Sequence, residues 1–128
     1  MDAVVERLRH EISERNTVRL AVLFGSFARA DAQHDSDVDI VVDGAVDTLS
    51  LGTELALACG REVDVVQMRD VTYALSLELM RDGVLLYERA PGAYALWRSR
   101  CFATLDMDRP LFERMRNAWL RKLATPSR

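Results

Sequence analysis

The segment that most constrains the fold is VRLAVLF, residues 18–24, a nearly continuous apolar run of strand length. Such a run is typical of a β-strand that is buried on both faces. It ends at Gly25, and a second strand is predicted in DVDIVVD, residues 37–43, because apolar and acidic residues alternate there with a period of two. The chain is therefore predicted to fold around a sheet in which these two strands are close neighbours.

Helices and further strands are predicted on either side of this pair. Helices are expected over residues 3–15, 47–59 and 70–81, and strands over 61–68 and 84–88. Asp47 or Thr48 is expected to cap the second helix and Gly60 to stop it, whereas Asp70 is expected to cap the third helix and Gly83 to end it. Pro91-Gly92 opens a helical tail that Pro110 should break or kink. This order predicts an α/β (α+β) fold: a small mixed sheet of about four strands, flanked by helices and followed by a helical C-terminal tail.

Length and composition predict one domain over residues 1–128. Of its 128 residues, 49% are hydrophobic and 29% charged, which suits a single compact core. We assign residues 1–90 to the core of this domain and 91–128 to a helical extension. No apolar run approaches the roughly 18 residues of a membrane helix, and MDAVVERLRH at the start alternates charge with aliphatic residues. We therefore expect a cytoplasmic protein that has no membrane partner.

The cysteine, histidine and lysine content excludes several classes of site. Cys59 and Cys101 are isolated, and the two histidines, His10 and His34, form no HExxH spacing. Disulfide scaffolds and structural zinc sites are thereby excluded. Lys122 is the only lysine, which excludes the phosphate loop that ends in Gly-Lys-Ser/Thr. Any nucleotide chemistry must use a different phosphate-binding device.

The net charge of −3 conceals an asymmetry along the chain. Residues 1–88 carry 17 acidic and 8 basic side chains, a balance of −9, whereas residues 89–128 have a balance of +6. Four aromatic residues lie among the basic side chains of this tail: Trp97, Phe102, Phe112 and Trp119. Two interpretations stay open. The tail is a surface for a partner or for phosphate, or it packs beside the acidic body with its arginines solvated.

The residues with the greatest potential for chemistry lie at the ends of the predicted strands. Gly25 and Ser26 follow the first strand, and Asp37 and Asp39 open the second. Because residues i and i+2 of a strand project from the same face, these aspartates present two carboxylates side by side. Asp64 in the third predicted strand is the candidate for a third carboxylate.

This set of side chains suits a divalent cation and a phosphate group. Adjacent carboxylates repel one another, and Mg²⁺ relieves the repulsion while it also binds substrate phosphates. Three carboxylates on neighbouring strands make a two-ion site possible, with ions about 3.5–4 Å apart, for in-line displacement at phosphorus. Gly25 permits close approach of a phosphate. Ser26 supplies a backbone N–H and a hydroxyl at the start of SFARA, a segment that we expect to form one helical turn.

The segment LFGSFARADAQHDSDVDIVV resembles the signature of the nucleotidyltransferase superfamily that includes DNA polymerase beta, which is Gly-Ser, about ten residues, then Asp-x-Asp. Through GSFARA and SDVDI it is more closely similar to the minimal nucleotidyltransferase (MNT) domain, the antitoxin of HEPN/MNT toxin–antitoxin pairs. The resemblance covers the order of elements from residue 1 to about residue 90. One departure is Ala30, where the family usually has glycine.

The resemblance implies a role for each of these residues. Gly25 and Ser26 would hold the terminal phosphates of the nucleotide. Asp37 and Asp39 would bind Mg²⁺, and Asp64 would complete the metal site and accept the proton of the attacking hydroxyl. For Arg29 two roles stay open: contact with a phosphate of the nucleotide, or an ion pair with a nearby carboxylate, Asp31 or Asp35.

The activity that the resemblance implies is that of a Mg²⁺-dependent protein adenylyltransferase acting as an antitoxin. It would transfer AMP from ATP to a tyrosine hydroxyl of a cognate HEPN ribonuclease toxin, release diphosphate and so neutralise the toxin. Larger members of the superfamily hold the acceptor on a second domain, for which this chain has no room. We therefore expect the partner protein to present the acceptor, and we expect no direct nucleic-acid substrate.

Two alternatives to this activity remain. In the first, the protein is a non-catalytic antitoxin that binds and occludes its partner through the basic aromatic tail, and its carboxylates are vestigial. In the second, it is a small-molecule nucleotidyltransferase of the aminoglycoside-modifying kind, which needs a separate helical partner subunit.

Overall fold

The computed structural model describes residues 2–30, 37–106 and 109–124. Contacts divide the chain into two compact units, Met1–Tyr94 and Ala95–Arg128. The helices are α1 (Asp2–Ser13), α2 (Thr48–Cys59), α3 (Tyr73–Asp82), α4 (Ala93–Asp106) and α5 (Arg109–Ala124). The strands are β1 (Val18–Phe24), β2 (Val38–Gly44), β3 (Val63–Gln67) and β4 (Val84–Glu88). Over the described residues, none of the helices is long and apolar enough to span a bilayer.

The four strands form one mixed sheet in the order β3-β2-β1-β4. Strand β1 runs antiparallel to both β2 and β4, whereas β2 and β3 are parallel and are joined through α2. A parallel pair needs such a crossover connection, which a helix supplies here. The predicted fold class, a small mixed sheet of four strands flanked by helices, is confirmed.

Apolar side chains are buried on both faces of the sheet. On one face, Ala21, Leu23 and Ile40 belong to a buried cluster that includes Leu8 of α1 and Leu55 of α2. On the opposite face, where α3 contacts β1, three further side chains are fully buried: Val22, Val41 and Leu79. The burial of β1 on both faces explains its nearly continuous apolar sequence.

Helix α2 begins and ends as its sequence predicts. The Asp47 side chain accepts a hydrogen bond from the Leu49 amide at 3.0 Å, which satisfies an otherwise unpaired N–H of the first turn. At the other end, Gly60 has a φ of 74° and its N–H donates to the Ala56 carbonyl at 2.9 Å. Gly60 is the left-handed cap that stops the helix.

Helix α3 begins later than the expected start near Asp70. Residues Met68–Asp70 form a short 3₁₀ turn, and the helix starts at Tyr73. The reason is a competing cap, because the Thr72 hydroxyl accepts a hydrogen bond from the Leu75 amide at 3.2 Å. Gly83 follows the last residue of α3, as predicted.

The other element bounds differ from the predicted ones by a few residues. Helix α1 ends at Ser13 rather than at residue 15, and β3 covers Val63–Gln67 rather than 61–68. The expected break in the tail is present, since α4 and α5 are separate helices. Pro110 is the second residue of α5, where its missing N–H costs no intrahelical hydrogen bond.

Candidate active site

The pairing of β2 with β3 brings the predicted carboxylates together. In the parallel register Asp39 lies opposite Asp64, and Asp37 immediately precedes β2. Paired residues on neighbouring strands project from the same face of a sheet, which here is the face that α3 covers. Asp39 is partly buried, whereas Asp37 and Asp64 are exposed. The predicted trio therefore shares one end and one face of the sheet.

The electrostatic environment of Asp39 is unfavourable for a carboxylate. Burial raises the pKa of the Asp39 carboxyl above its ordinary value, and the negative charges of Asp64 and Asp37 raise it further. Glu78 of α3 adds to the same effect, and Arg29 opposes it. Glu78 was not predicted from the sequence, because no spacing along the chain indicates that α3 places it near β2.

The Gly-Ser turn lies directly against this acidic cluster. Phe24, the last residue of β1, is paired with Asp39, and Gly25 follows with a φ of 76°. A Cβ at position 25 would be 2.5 Å from Oδ2 of Asp39, which is closer than side chains tolerate. Ser26 is partly exposed. A phosphate at this turn would lie close to the carboxylates.

The residues after Ser26 form a helical turn, as predicted. The Arg29 amide donates to the Gly25 carbonyl at 3.1 Å, and the Ala30 amide donates to the Phe27 carbonyl at 3.3 Å. Ala30 has a φ of 60°, a left-handed conformation that favours glycine. Alanine therefore replaces the family's usual glycine at a position whose backbone conformation favours glycine. Arg29 is exposed, and Asp31 and Asp35, its alternative partners, lie outside the described residues.

The aromatic side chain of Phe27 packs this turn against the hydrophobic core of the first unit. Phe27 is 5% exposed and belongs to the core cluster. The Arg61 guanidinium lies over its ring, 5.1 Å from the centroid, a cation–π geometry. Arg61 lies just before β3, so the contact links the Gly-Ser turn to the strand that carries Asp64. Arg61 was not predicted from the sequence either, because no motif distinguishes it.

The donor set fits a hard divalent cation. A carboxylate with a raised pKa beside two further carboxylates is stabilised by a nearby positive charge, and oxygen ligands of this kind suit Mg²⁺. Within the part of the chain that the structure describes, no three acidic, histidine or cysteine side chains are close enough together to hold a metal ion by themselves. Mg²⁺ often takes only one or two carboxylates and fills its other positions with water and substrate phosphates.

The second unit, Ala95–Arg128, exposes apolar and basic side chains. Leu96, Phe102 and Leu120 are each about half exposed, at 53%, 48% and 47%. Arg114 and Arg116 are also exposed. Burial raises the pKa of the Cys101 thiol, which keeps it protonated. This unit therefore presents apolar and basic groups among its described side chains.

Comparison with known proteins identifies a related sequence and several solved structures with a similar fold. Protein adenylyltransferase MntA of Thermococcus cleftensis is 29% identical over 89 residues, which are 66% of this chain and 90% of the relative. A chain from the crystal structure of a toxin–antitoxin pair with AMP-PNP superposes with a TM-score of 0.66 at 21% identity, covering 97% of this chain and 98% of its own length.

A second solved structure contains a HEPN toxin. It is the complex of the tri-AMPylated Shewanella oneidensis HEPN toxin with its MNT antitoxin, and one of its chains superposes with a TM-score of 0.62 at 20% identity. The match covers 94% of this chain and 99% of that one. At these identities the two superpositions show a shared fold. The family model described as "Polymerase beta, Nucleotidyltransferase" matches residues 6–91, which include the sheet, the Gly-Ser turn and all three aspartates, and the chain therefore belongs to that family.

Proposed function

We propose that this protein is a Mg²⁺-dependent protein adenylyltransferase that acts as an antitoxin. It transfers AMP from ATP to a tyrosine hydroxyl of a HEPN ribonuclease toxin and thereby neutralises that toxin. The observation that carries the proposal is the contact between Gly25 and the Asp39 carboxylate, with Asp64 paired opposite. This contact joins a candidate phosphate-binding turn to a candidate metal site.

Each site residue has a distinct part in the proposed reaction. Gly25 leaves room for the terminal phosphates of ATP, and Ser26 donates hydrogen bonds to them from its amide and its hydroxyl. Arg29 lies on the exposed side of the same turn, where its charge favours the triphosphate. The turn therefore fixes the leaving group at a defined distance from the carboxylates.

The transfer itself is a substitution at the α-phosphorus of ATP. The acceptor hydroxyl oxygen forms a bond to that phosphorus, the bond to the bridging oxygen of the β-phosphate breaks, and diphosphate leaves. Asp64 accepts the hydroxyl proton, for which its exposed position on an edge strand is suitable. Asp37, Asp39 and Asp64 would hold Mg²⁺, which when bound neutralises charge on the phosphates and favours ionisation of the hydroxyl.

The proposed partner is a separate HEPN protein. The relatives include a protein adenylyltransferase, and the solved neighbours include a HEPN toxin in an AMPylated form. Residues 1–90 form the proposed catalytic core, and residues 91–128 are the helical extension of the same domain. The exposed apolar and basic side chains of α4 and α5 are suitable for a surface that binds another protein. An added AMP carries bulk and negative charge, which would oppose RNA binding by the toxin.

Mass spectrometry of the intact proteins tests the proposal. This protein is incubated with ATP, Mg²⁺ and the HEPN protein encoded beside it. We expect the HEPN protein to gain whole AMP units, and fragmentation should place them on a tyrosine. Replacement of that tyrosine by phenylalanine should abolish the gain. An unmodified HEPN protein that is nevertheless bound and silenced would contradict the proposal.

The exposed apolar residues of the second unit favour a second candidate, which is neutralisation by binding alone. In that case Leu96→Asp and Phe102→Asp should abolish neutralisation, whereas Asp39→Ala should leave it unchanged. Under the proposed activity, Asp39→Ala abolishes neutralisation, because AMP transfer is what neutralises the partner. The two candidates therefore predict opposite outcomes for the same variant.

A further inference from the structure

The outer edge of β3 offers unpaired backbone groups. β3 is the last strand of the sheet, and no strand among the described residues pairs with its outer side. The Val38 amide donates to the Glu62 carbonyl at 2.9 Å. Backbone groups alternate in direction along a parallel strand. The backbone N–H and C=O groups of Asp64 are therefore directed towards β2, whereas those of Val63 and Val65 are directed outwards. The Val63 carbonyl lies against Gly52 of α2, whereas the outward amides of Val63 and Val65 can pair with an added strand.

A groove of about 380 Å³ lies between this edge and α2. It is lined by apolar and polar residues alike: Thr48, Leu49, Gly52, Thr53 and Ala56 from α2, Glu62 just before β3, and Val63, Asp64 and Val65 from β3. A Cβ on Gly52 would be 2.8 Å from the Val63 carbonyl oxygen. Glycine therefore lets the helix lie against the strand and keeps side-chain atoms out of the groove.

An apolar side chain at the rim is exposed to solvent. Leu49 lines the groove and is 80% exposed. A single exposed leucine on a helix is common. Leu49, however, lies beside an open groove and a free strand edge, so an apolar side chain of a ligand can enter the groove and cover this leucine. The edge therefore combines main-chain pairing with a pocket for a side chain.

Negative charges along the edge of β3 determine which kind of chain can pair with it. Glu62 and Asp64 are both exposed, and neither has an ion pair within the part of the chain described. If a second copy of this chain paired antiparallel through the same edge, these carboxylates would face those of the copy, which is repulsive. A different chain that carries a basic residue is attracted instead.

We propose that this edge binds an extended segment of the acceptor protein, which pairs with β3 and places an apolar side chain in the α2 groove. The inference rests on the proposed function, since the acceptor is a protein. Val63 and Val65 face α2 and Asp64 faces the opposite side, and an added strand alternates in the same way. A hydroxyl residue next to the groove-filling residue therefore lies on the Asp64 face, and a basic residue two positions from the hydroxyl residue, on that same face, pairs with Glu62.

Two variants and two controls on one helix test the groove. Leu49→Asp places a charge on its rim, and Thr53→Trp fills it from an exposed position. Leu57→Asp and Leu57→Trp are the matched controls, because Leu57 is 83% exposed on the same helix and does not line the groove. The probe is the HEPN partner protein, whose affinity is measured by calorimetry without ATP. We expect both groove variants to weaken binding by about tenfold or more, with the controls within about twofold of wild type.

Amide exchange measured by NMR tests the strand pairing directly. Partner binding should slow exchange at the outward amides of Val63 and Val65. The Asp64 amide, already directed to β2, should change little. No slowing at Val63 and Val65 in the complex would overturn the inference, as would equal partner affinity for all four variants.

Binding and transfer distinguish the two proposals. If AMP transfer occurs and the Leu49→Asp variant keeps the wild-type KM for the partner, the docking inference fails and the proposed function stands. If the partner binds through this edge but gains no AMP, the proposed function fails while the docking surface is supported. Sedimentation that shows a wild-type dimer lost in Leu49→Asp would identify a second copy as the occupant and overturn the inference.

Discussion

Gly25 and Asp39 are in close contact: a Cβ on residue 25 would be 2.5 Å from Oδ2 of the aspartate. The Gly-Ser turn and the acidic cluster are therefore one structural unit. The contact arises because Phe24, which precedes the glycine, is paired with Asp39 across the sheet. Neither element can move without disturbing the other.

The contact predicts a strong effect of Gly25→Ala on catalysis. The methyl group displaces the Asp39 carboxylate, and displacement of a catalytic group by about 1 Å costs on the order of 100-fold in rate. Gly60→Ala is the matched control, because Gly60 has a similar φ of 74° but nothing within 4 Å of an added Cβ. Both variants should lose about 1 kcal/mol of stability to left-handed strain. If both lose activity equally, the contact has no catalytic role.

Ala30→Gly should stabilise the protein. Ala30 has a φ of 60°, a conformation that costs an L-residue about 1–2 kcal/mol. Glycine removes this strain but gains freedom in the unfolded chain, so we expect a net increase of about 0.5–1 kcal/mol in the free energy of unfolding. Urea denaturation measures it. Ala28→Gly, in the same turn but without a positive φ, should be destabilising, and a loss of stability in Ala30→Gly would contradict the prediction.

The Arg61 side chain should stabilise the Gly-Ser turn. Its guanidinium lies 5.1 Å from the centroid of the Phe27 ring, and such a contact contributes about 0.5–1 kcal/mol. Arg61→Ala should lower the free energy of unfolding by that amount and raise the KM for ATP, while Arg61→Lys should retain part of both. Arg69→Ala removes an exposed arginine from the same unit and serves as the control. Equal effects of the two alanine substitutions would exclude a specific role for Arg61.

The raised pKa of Asp39 predicts how stability changes with pH in metal-free protein. The folded state disfavours the charged carboxylate, mainly through burial and then through Asp64 and Asp37. The contribution of Asp39 to stability is therefore present at low pH and lost as pH rises through its folded pKa. Asp39→Asn should be more stable than wild type near neutral pH in EDTA, and this advantage should shrink on acidification. Asp43→Asn should show no such advantage. A destabilised Asp39→Asn at neutral pH would contradict the prediction.

The features that could be predicted from the sequence are those that depend on short stretches of the chain. The apolar composition of β1, the alternation in β2 and the Asp47 and Gly60 caps of α2 are local properties, and all are present in the structure. The placement of Asp64 beside Asp39 also followed, because two neighbouring strands carry them.

Other features depend on tertiary packing and were beyond sequence reasoning. Glu78 and Arg61 act on the site across long stretches of chain, through the positions of α3 and of the segment before β3. The start of α3 was misplaced because Asp70 and Thr72 are both good caps, and the 3₁₀ turn at Met68–Asp70 leaves only Thr72 in position. That β3 has a free edge could not be predicted, because the sequence does not determine the order of the strands in the sheet.

The most direct test of the central claim is the rate of AMP transfer to the HEPN partner by Asp39→Ala and Asp43→Ala, measured by intact mass with ATP and Mg²⁺. Both variants remove a carboxylate from the same face of β2, but Asp43 pairs with Arg19 at the far end of the strand. We predict that Asp39→Ala reduces the rate by at least about 100-fold, while Asp43→Ala stays near the wild-type rate. Wild-type transfer by Asp39→Ala would contradict the assignment of the active site.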